Sequence, residues 1–460
     1  MAGPFLGINM SSQALRNYQR SMTTIGNNIA NVNTRGYSRQ TVEFSPLPQL
    51  QFYSGNWKSI GQGSVISSVN RVRADYLEAS QNNASSQYGK SETLSTHLQR
   101  IEGIYNEPSD SGINQALDRF FNSWSGLGSN SGDAAARTEV RLAGQVLTDR
   151  VRNRHQDLTQ LASSQTGQIN NTIDQINGLA NQIAQLNAQI AATVGTDGSA
   201  NDLMDQRDLA VADLSSLVNV NRQVFPDGSY AIYASGHTLV QGNSVRPFPS
   251  TFDAATGTVT DGTNTFQVKS GALAGHLAGL NETNIQKSNL DQMANELRTQ
   301  VNTLHAAGTN AAGDTGVLFF NDVLVPPQTG AGDFSLSSDV QGDLSKIMTG
   351  LTGDASDGSI AQQLGEMRDS VQAGLGGKSF KSYFGDIIGK LTSDTNFQVN
   401  ASATESAVLD QIDQQRQAVS GVSLDDELAN LVKMQRSYQA AARAMTVFDE
   451  VSQDLINLIR

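Results

Sequence analysis

The sequence predicts a mainly α-helical chain with a small β insertion. In this reading the terminal helices pair as a coiled-coil-like inner domain, the middle is an elongated helical bundle, and an outer domain is rich in strand. Three observations carry it. Apolar residues recur in sevens near both ends, and Ile169, Ile176, Ile183 and Ile190 repeat with the same period in between, with Leu179 and Leu186 among them. Residues 219–270 change to short alternating runs broken by Pro-Asp-Gly and Asp-Gly, which are hairpin turns. The expected organisation is 1–44 with 415–460 as the inner domain, 45–75 as an extended or hairpin connector, 76–218 with 271–414 as the helical domain, and 219–270 as a small β domain.

The elements follow in order. From Ile8, steps of seven reach Leu15, Met22 and Ile29, and a second row holds Tyr18, Ile25 and Val32. Spacings of three and four mark a narrow seam made for another helix. The stretch NNIANVNTRGYSRQ then turns the chain. Asn27, Asn28, Asn31 and Asn33 are expected to cap the helix and shape the turn, and Gly36, before Tyr37, to end it with a positive φ. FSPLPQLQFY and GQGSVISSVNRV carry turn and strand signals, and 76–106 and 112–127 return to helix. A long helix over 134–192 and a shorter one over NDLMDQRDLAVADLSSLV precede the strands of 219–270. Helix resumes at 271–307, breaks in the Gly-, Asn- and Pro-rich tract 308–335, restarts near 358 and runs last from about 396. Its final part has a second seam: Leu424, Leu431, Tyr438, Met445 and Ile459 in sevens, Met434, Ala441, Phe448 and Leu455 three residues on, and Leu428 beside them. Two terminal seams can cover each other only if the chain is a hairpin.

Bulk properties narrow the function. A net charge of −13 over 460 residues argues against nucleic-acid binding, which needs clustered Lys and Arg. The absence of cysteine removes disulfide and thiolate chemistry. The N-terminus MAGPFLGINM lacks the basic segment and apolar run of a secretory signal, and no window is long and apolar enough for membrane insertion.

Catalytic and ligand motifs are weak. QAGLGGKS at 372–379 has Gln372 where a phosphate loop needs glycine, so it reads as a helix-ending glycine loop. Asp197, Asp202, Asp205 and Asp208 lack the order of a calcium loop and read as the first turns of a helix capped by Ser199 or Asn201. His97, His155, His237, His276 and His305 show no ligand spacing. No cofactor, metal or catalytic site is expected. Tyr18 and Tyr438 either pack in their seams or use their hydroxyls to fix register between subunits.

NNIANVNTRGYSRQ, placed after SSQALRNYQRSMTTIG, resembles the N-terminal signature of the bacterial flagellar axial proteins of rod, hook and hook-associated type. DDELANLVKMQRSYQAAARAMTVFDEVSQDLINLI is similar to their C-terminal signature. GQGSVISSVNRVRADYLEAS, GINQALDRFFNSWSGL, NDLMDQRDLAVADLSSLV and YASGHTLVQG narrow the likeness to the hook-associated protein 1 family, the first junction proteins between hook and filament. The resemblance implies a structural subunit and no enzyme. It further implies export through the flagellar type III channel without a cleaved signal, an extracellular place at the hook–filament junction, and terminal helices that stay disordered until neighbouring copies cover them. Implied partners are hook protein, hook-associated protein 3, copies of the chain in a helical layer, and an export chaperone on the C-terminal helix. The alternatives are another axial subunit or an extracellular helical adhesin that binds through 219–270.

Overall fold

A computed structural model describes residues 5–53, 57–194, 200–321 and 330–458. The chain forms two compact units, each built from separated segments. The first takes Met1–Gln87, Gln175–Phe248 and Ser406–Arg460, the second Tyr88–Asp174 and Pro249–Glu405. The expected four-part division groups residues by pattern, whereas these units group them by contact.

The first unit starts with α1 (Phe5–Ala30), followed by β1 (Gln40–Pro46), β2 (Leu50–Tyr53), β3 (Trp57–Ile60) and β4 (Ser64–Arg71). β1 and β4 pair antiparallel from Gln40↔Arg71 to Pro46↔Ser64, with a register shift at Glu43/Phe44, and β2 and β3 form a hairpin between them. The unit also contains the first half of α2 (Asp75–Tyr105), the end of α4 (Ala134–Val194), α5 (Asn201–Leu217) and α10 (Leu424–Leu458), together with the last turns of the helix before it. On α4, Ile176, Ile183 and Ile190 are buried, as their period requires, and Asn187 is buried with them. β5 (Val220–Val224), β6 (Tyr230–Ala234), β7 (His237–Gln241) and β8 (Ser244–Val245) make a four-stranded meander. β9 (Thr251–Asp253), β10 (Thr258–Thr260) and β11 (Thr265–Gln267) make a separate three-stranded meander in the second unit. The strand-rich segment is thus two sheets rather than one. Gly228 and Gly262, the glycines of the two turn motifs, have φ of +78° and +90°.

The second unit holds most of the buried aromatic rings. α3 (Ile113–Ser129) buries Phe120, Phe121 and Trp124, which meet Phe319, Phe320 and Phe380 in edge-on, tilted and stacked pairs. Burial of each such ring contributes roughly 2–3 kcal/mol. Most aromatic residues of the first unit are not buried, so this cluster of buried rings marks where the large core lies. Much of the tract 308–335 is part of it. The amide of Asn302, on α6 (Ala272–Ala306), holds Phe319 N, Phe320 N and Phe320 O, and so fixes the backbone that carries both rings.

Three expectations need correction. The last long helix does not begin near 396: α9 runs Phe380–Ser420, after the short α7 (Ser338–Gly342) and α8 (Ser359–Glu366), and α10 follows a three-residue break. Phe380 and Phe384, buried at 0% exposure, anchor the earlier start. Residues 372–379 end only a 3₁₀ turn, Ala373–Leu375, which Gly376 caps at φ +66°, and with Gly377 at φ +77° they lead the chain into α9. The histidines, scattered in sequence, are partly adjacent in space: His97 Nε2 lies 2.9 Å from His276 Nδ1, and Gln165 Nε2 lies 3.2 Å from His97 Nδ1. Gly279 allows that approach, because a Cβ there would sit 2.6 Å from the His97 ring.

Burial lowers the pKa of His97, with His276 and Arg100 adding to the effect, and burial likewise lowers those of His276 and His305, each to about 4. His305 accepts from Met348 N at Nε2 and faces Val317 O with Nδ1 at 2.7 Å, an arrangement that requires the neutral ring. A folded pKa below the ordinary 6.5 means stability is present above 6.5 and lost as pH falls toward 4. Thermal melts followed by near-UV circular dichroism should show Tm of the aromatic unit falling over that window. His305→Gln keeps one donor and one acceptor, so its Tm should fall less steeply; an unchanged slope would contradict the assignment.

Candidate assembly interface

α1 and α10 pack against each other in the single chain. The Phe448 ring lies over Gly7, where a Cβ would come within 2.6 Å of it, and Asn28 Nδ2 donates to Glu427 Oε2 at 3.1 Å. The first residues of α1 therefore meet the far part of α10, and the last meet its beginning, so the helices are antiparallel. In this structure both ends are helical, and each supplies a surface to the other.

The predicted seam residues fall as follows. Ile25 is buried, and Ile8, Leu15, Tyr18, Met22, Ile29 and Val32 are half-buried. On α10, Leu431, Met434, Ala441 and Met445 are half-buried, while Leu424, Leu428, Tyr438, Phe448 and Leu455 are exposed, Leu428 at 50%. Ile459 lies outside the described residues. The most buried face of α1 is polar: Ser11, Asn17, Ser21, Thr24 and Asn28. Asn17 Nδ2 donates to Ser64 O at 2.7 Å, so that face is held to the β1–β4 ribbon by hydrogen bonds rather than by apolar packing alone.

Asn28 is the hub of the signature turn, not a helix cap. Its amide donates to Gln40 O and Glu427, and its Oδ1 accepts from Tyr37 Oη at 2.8 Å and Gln40 N at 3.0 Å. Burial, with Asp202, Asp205 and Glu427 nearby, pushes the Tyr37 pKa up to about 12, so its hydroxyl remains a donor. Asn31 Nδ2 bonds Asn27 O, and its Oδ1 takes the Thr34 hydroxyl; Asn33 is exposed. Gly36 does not end the helix, which stops at Ala30, but stands third in the turn Thr34–Tyr37 at φ +84°. A Cβ there would lie 3.2 Å from Leu209 as well as being strained.

Beside the turn lies an ionic cluster that sequence reading missed. Arg71 donates to Asp205 and Asp208 at 2.8 Å each, Arg73 to Asp208 and Glu78, and Arg222 to Glu78 at 3.0 Å. Asp205 also accepts Ser38 N at 2.9 Å, and Asp208 accepts the Tyr230 hydroxyl at 2.8 Å. The buried Arg207 guanidinium stacks 3.3 Å from the Tyr230 ring centre and donates to Asn187 Oδ1 and Gly228 O. Burial opposes the charge on Asp208, yet Arg73 and Arg71 outweigh it and hold the pKa below the usual carboxylate range. Asn201 does not cap α5, whose cap position is Ala200; its side chain reaches Val69 O instead, and Ser199 lies outside the described residues. The available signal was the period-three spacing of Asp202, Asp205 and Asp208, which sets three carboxylates along one face of a helix. A cleft of about 590 Å³ opens next to the cluster, lined by Asn31–Tyr37, Arg73, Asp208, Arg222 and Arg416. Each acid in it is matched by an arginine or a donor, an arrangement that positions chain segments. Among the described residues, no group of three or more His, Asp or Glu could hold a metal ion.

The elements around this hub match family models. Residues 8–37 match the flagella basal body rod protein model, and 413–458 the C-terminal model of the flagellar basal body rod FlgEFG proteins. Residues 98–320 match the helical domain of the flagellar hook-associated protein FlgK. Flagellar hook-associated protein 1 of Bacillus subtilis is 30% identical over 99% of both chains, and that of Escherichia coli is 27% identical over 98% of this chain and 99% of its own. The chain belongs to the flagellar hook-associated protein 1 family. The flagellar hook junction protein FlgK of Burkholderia pseudomallei shares its fold, with a TM-score of 0.65 at 17% identity, covering 74% of this chain and all of that one. As a member of the hook-associated protein 1 family, the chain is a structural subunit of the flagellum at the hook–filament junction, not an enzyme.

Removing one member of the ionic cluster leaves buried charge unmatched, which costs about 3–5 kcal/mol. Asp208→Asn should lower the stability of the first unit by that order in urea titrations followed by far-UV circular dichroism. A loss below ~1 kcal/mol would show that the cluster is dispensable.

Proposed function

We propose that the paired terminal helices are the assembly module of this subunit, which adds to the hook tip after export through the flagellar type III channel without a cleaved signal. Its neighbours are hook protein below, hook-associated protein 3 above and copies of itself in the same layer, outside the cell. In the cytoplasm an export chaperone covers α10. One observation supports this above the rest. With α1 already in place, α10 still exposes Leu424, Leu428, Val432, Val447, Val451, Leu455 and Ile456, each by 42% or more. Completing the burial of each would contribute on the order of 1 kcal/mol, so several neighbours together stabilise the module well beyond what one chain achieves. No described helix is long and apolar enough to cross a membrane.

Leu431→Asp places a charge in the α1-facing seam of α10. Cells with this variant as their only copy should build hooks without filaments and fail to swarm, while the purified protein keeps the near-UV signal of its aromatic unit. Normal swarming would contradict the proposal.

A further inference from the structure

The inner face of α10 meets α1; its outer face has a charge pattern of its own. Asp425, Arg436, Arg443, Glu450 and Asp454 follow one another at steps of eleven, seven, seven and four residues. Those steps keep all five on one side of an α-helix. All are exposed, and among the described residues none makes an ion pair within the chain. From Asn430 to Phe448, α10 has Lys433, Arg436 and Arg443 and no acid, although the chain carries a net −13. The helix is thus basic at its middle and acidic toward both ends, along a single line.

Resting on the assembly reading above, we infer that this face binds the same face of α10 in a second copy, with the helices parallel and displaced by eleven residues. That displacement is three turns, roughly 16 Å. It sets Asp425 of one copy against the second copy's Arg436, and Arg443 against the second copy's Asp454. With no displacement Arg436 would face Arg436. With seven residues, Arg436 would face Arg443. Eleven satisfies both pairs; eighteen would also pair Asp425 with Arg443 and Arg436 with Asp454, but it leaves 35 − 18 = 17 residues of α10 side by side instead of 35 − 11 = 24. The contact joins different patches of one surface, so it repeats from copy to copy instead of closing at a dimer.

Two exposed pairs change an association constant by about tenfold, and salt weakens them. The test uses the full chain and sedimentation velocity at low and high salt. Wild type should self-associate at low salt and dissociate as salt rises. Asp425→Lys with Asp454→Lys, and separately Arg436→Asp with Arg443→Asp, should each associate about tenfold more weakly than wild type. An equimolar mixture of the two should recover, because each contact between unlike copies again pairs opposite charges. The recovery itself shows that both variants are folded. A mixture that stays as weak as its components, or either variant alone behaving as wild type, overturns the register. Loss of association in Leu431→Asp with no effect of the charge variants would remove this contact and leave the assembly reading standing. A wild-type chain that stays monomeric at low salt overturns the contact.

Discussion

The arrangement of the first unit depends on the carboxylate of Glu427. It lies in the first turn of α10, 2% exposed, and accepts from Asn28 and Arg39, which precede it by 399 and 388 positions. A carboxylate this deeply buried is tolerated only while charged or hydrogen-bonded partners surround it. Arg39 also spans the break between α9 and α10: its backbone N–H donates to Ser420 O at 3.0 Å, and its guanidinium reaches Glu427 at 2.8 Å. One residue of the N-terminal turn thereby sets how the last helix leaves the one before it. The two ends of the chain are tied as one element, because α10 cannot swing away without breaking the Asn28 and Arg39 bonds to that carboxylate.

The ionic cluster of Arg71, Arg73, Arg222, Glu78, Asp205 and Asp208 extends the same logic. It ties the β1–β4 ribbon, α2, α5 and the β5–β8 sheet to the turn that carries Asn28. Buried ion pairs add little net stability compared with apolar packing, but they penalise every misaligned arrangement. That suits a subunit whose terminal helices must keep a defined direction while part of their apolar surface remains open. The second unit is built differently. Its rings and its neutral histidines make a conventional dense core, and its stability answers to acid rather than to assembly.

Much of this was legible in the sequence where periodicity is strong. The seven-residue rows located both terminal helices and the long α4, and Pro-Asp-Gly and Asp-Gly located hairpins, because these signals are local. The family signatures supplied the function. The Asn28–Glu427 bond was not legible: Glu427 reads as one of three first-turn acids, and only the folded chain brings Asn28 to it. The His97–His276 pair was hidden for the same reason, since α2 and α6 meet through Gly275 and Gly279, whose role is to be small. Phe380 and Phe384 were not legible because the glycines before them, Gly376 and Gly377, mark a break in helix as readily as a start, and a short apolar run does not announce which core it enters.

Glu427 makes α1 and α10 a single cooperative element. Hydrogen exchange of the isolated chain, compared with Glu427→Gln, tests it most directly. In the variant, amides of Phe5–Ala30 and Leu424–Leu458 should lose protection together and by similar factors. Protection lost in α10 while α1 stays unchanged would contradict it.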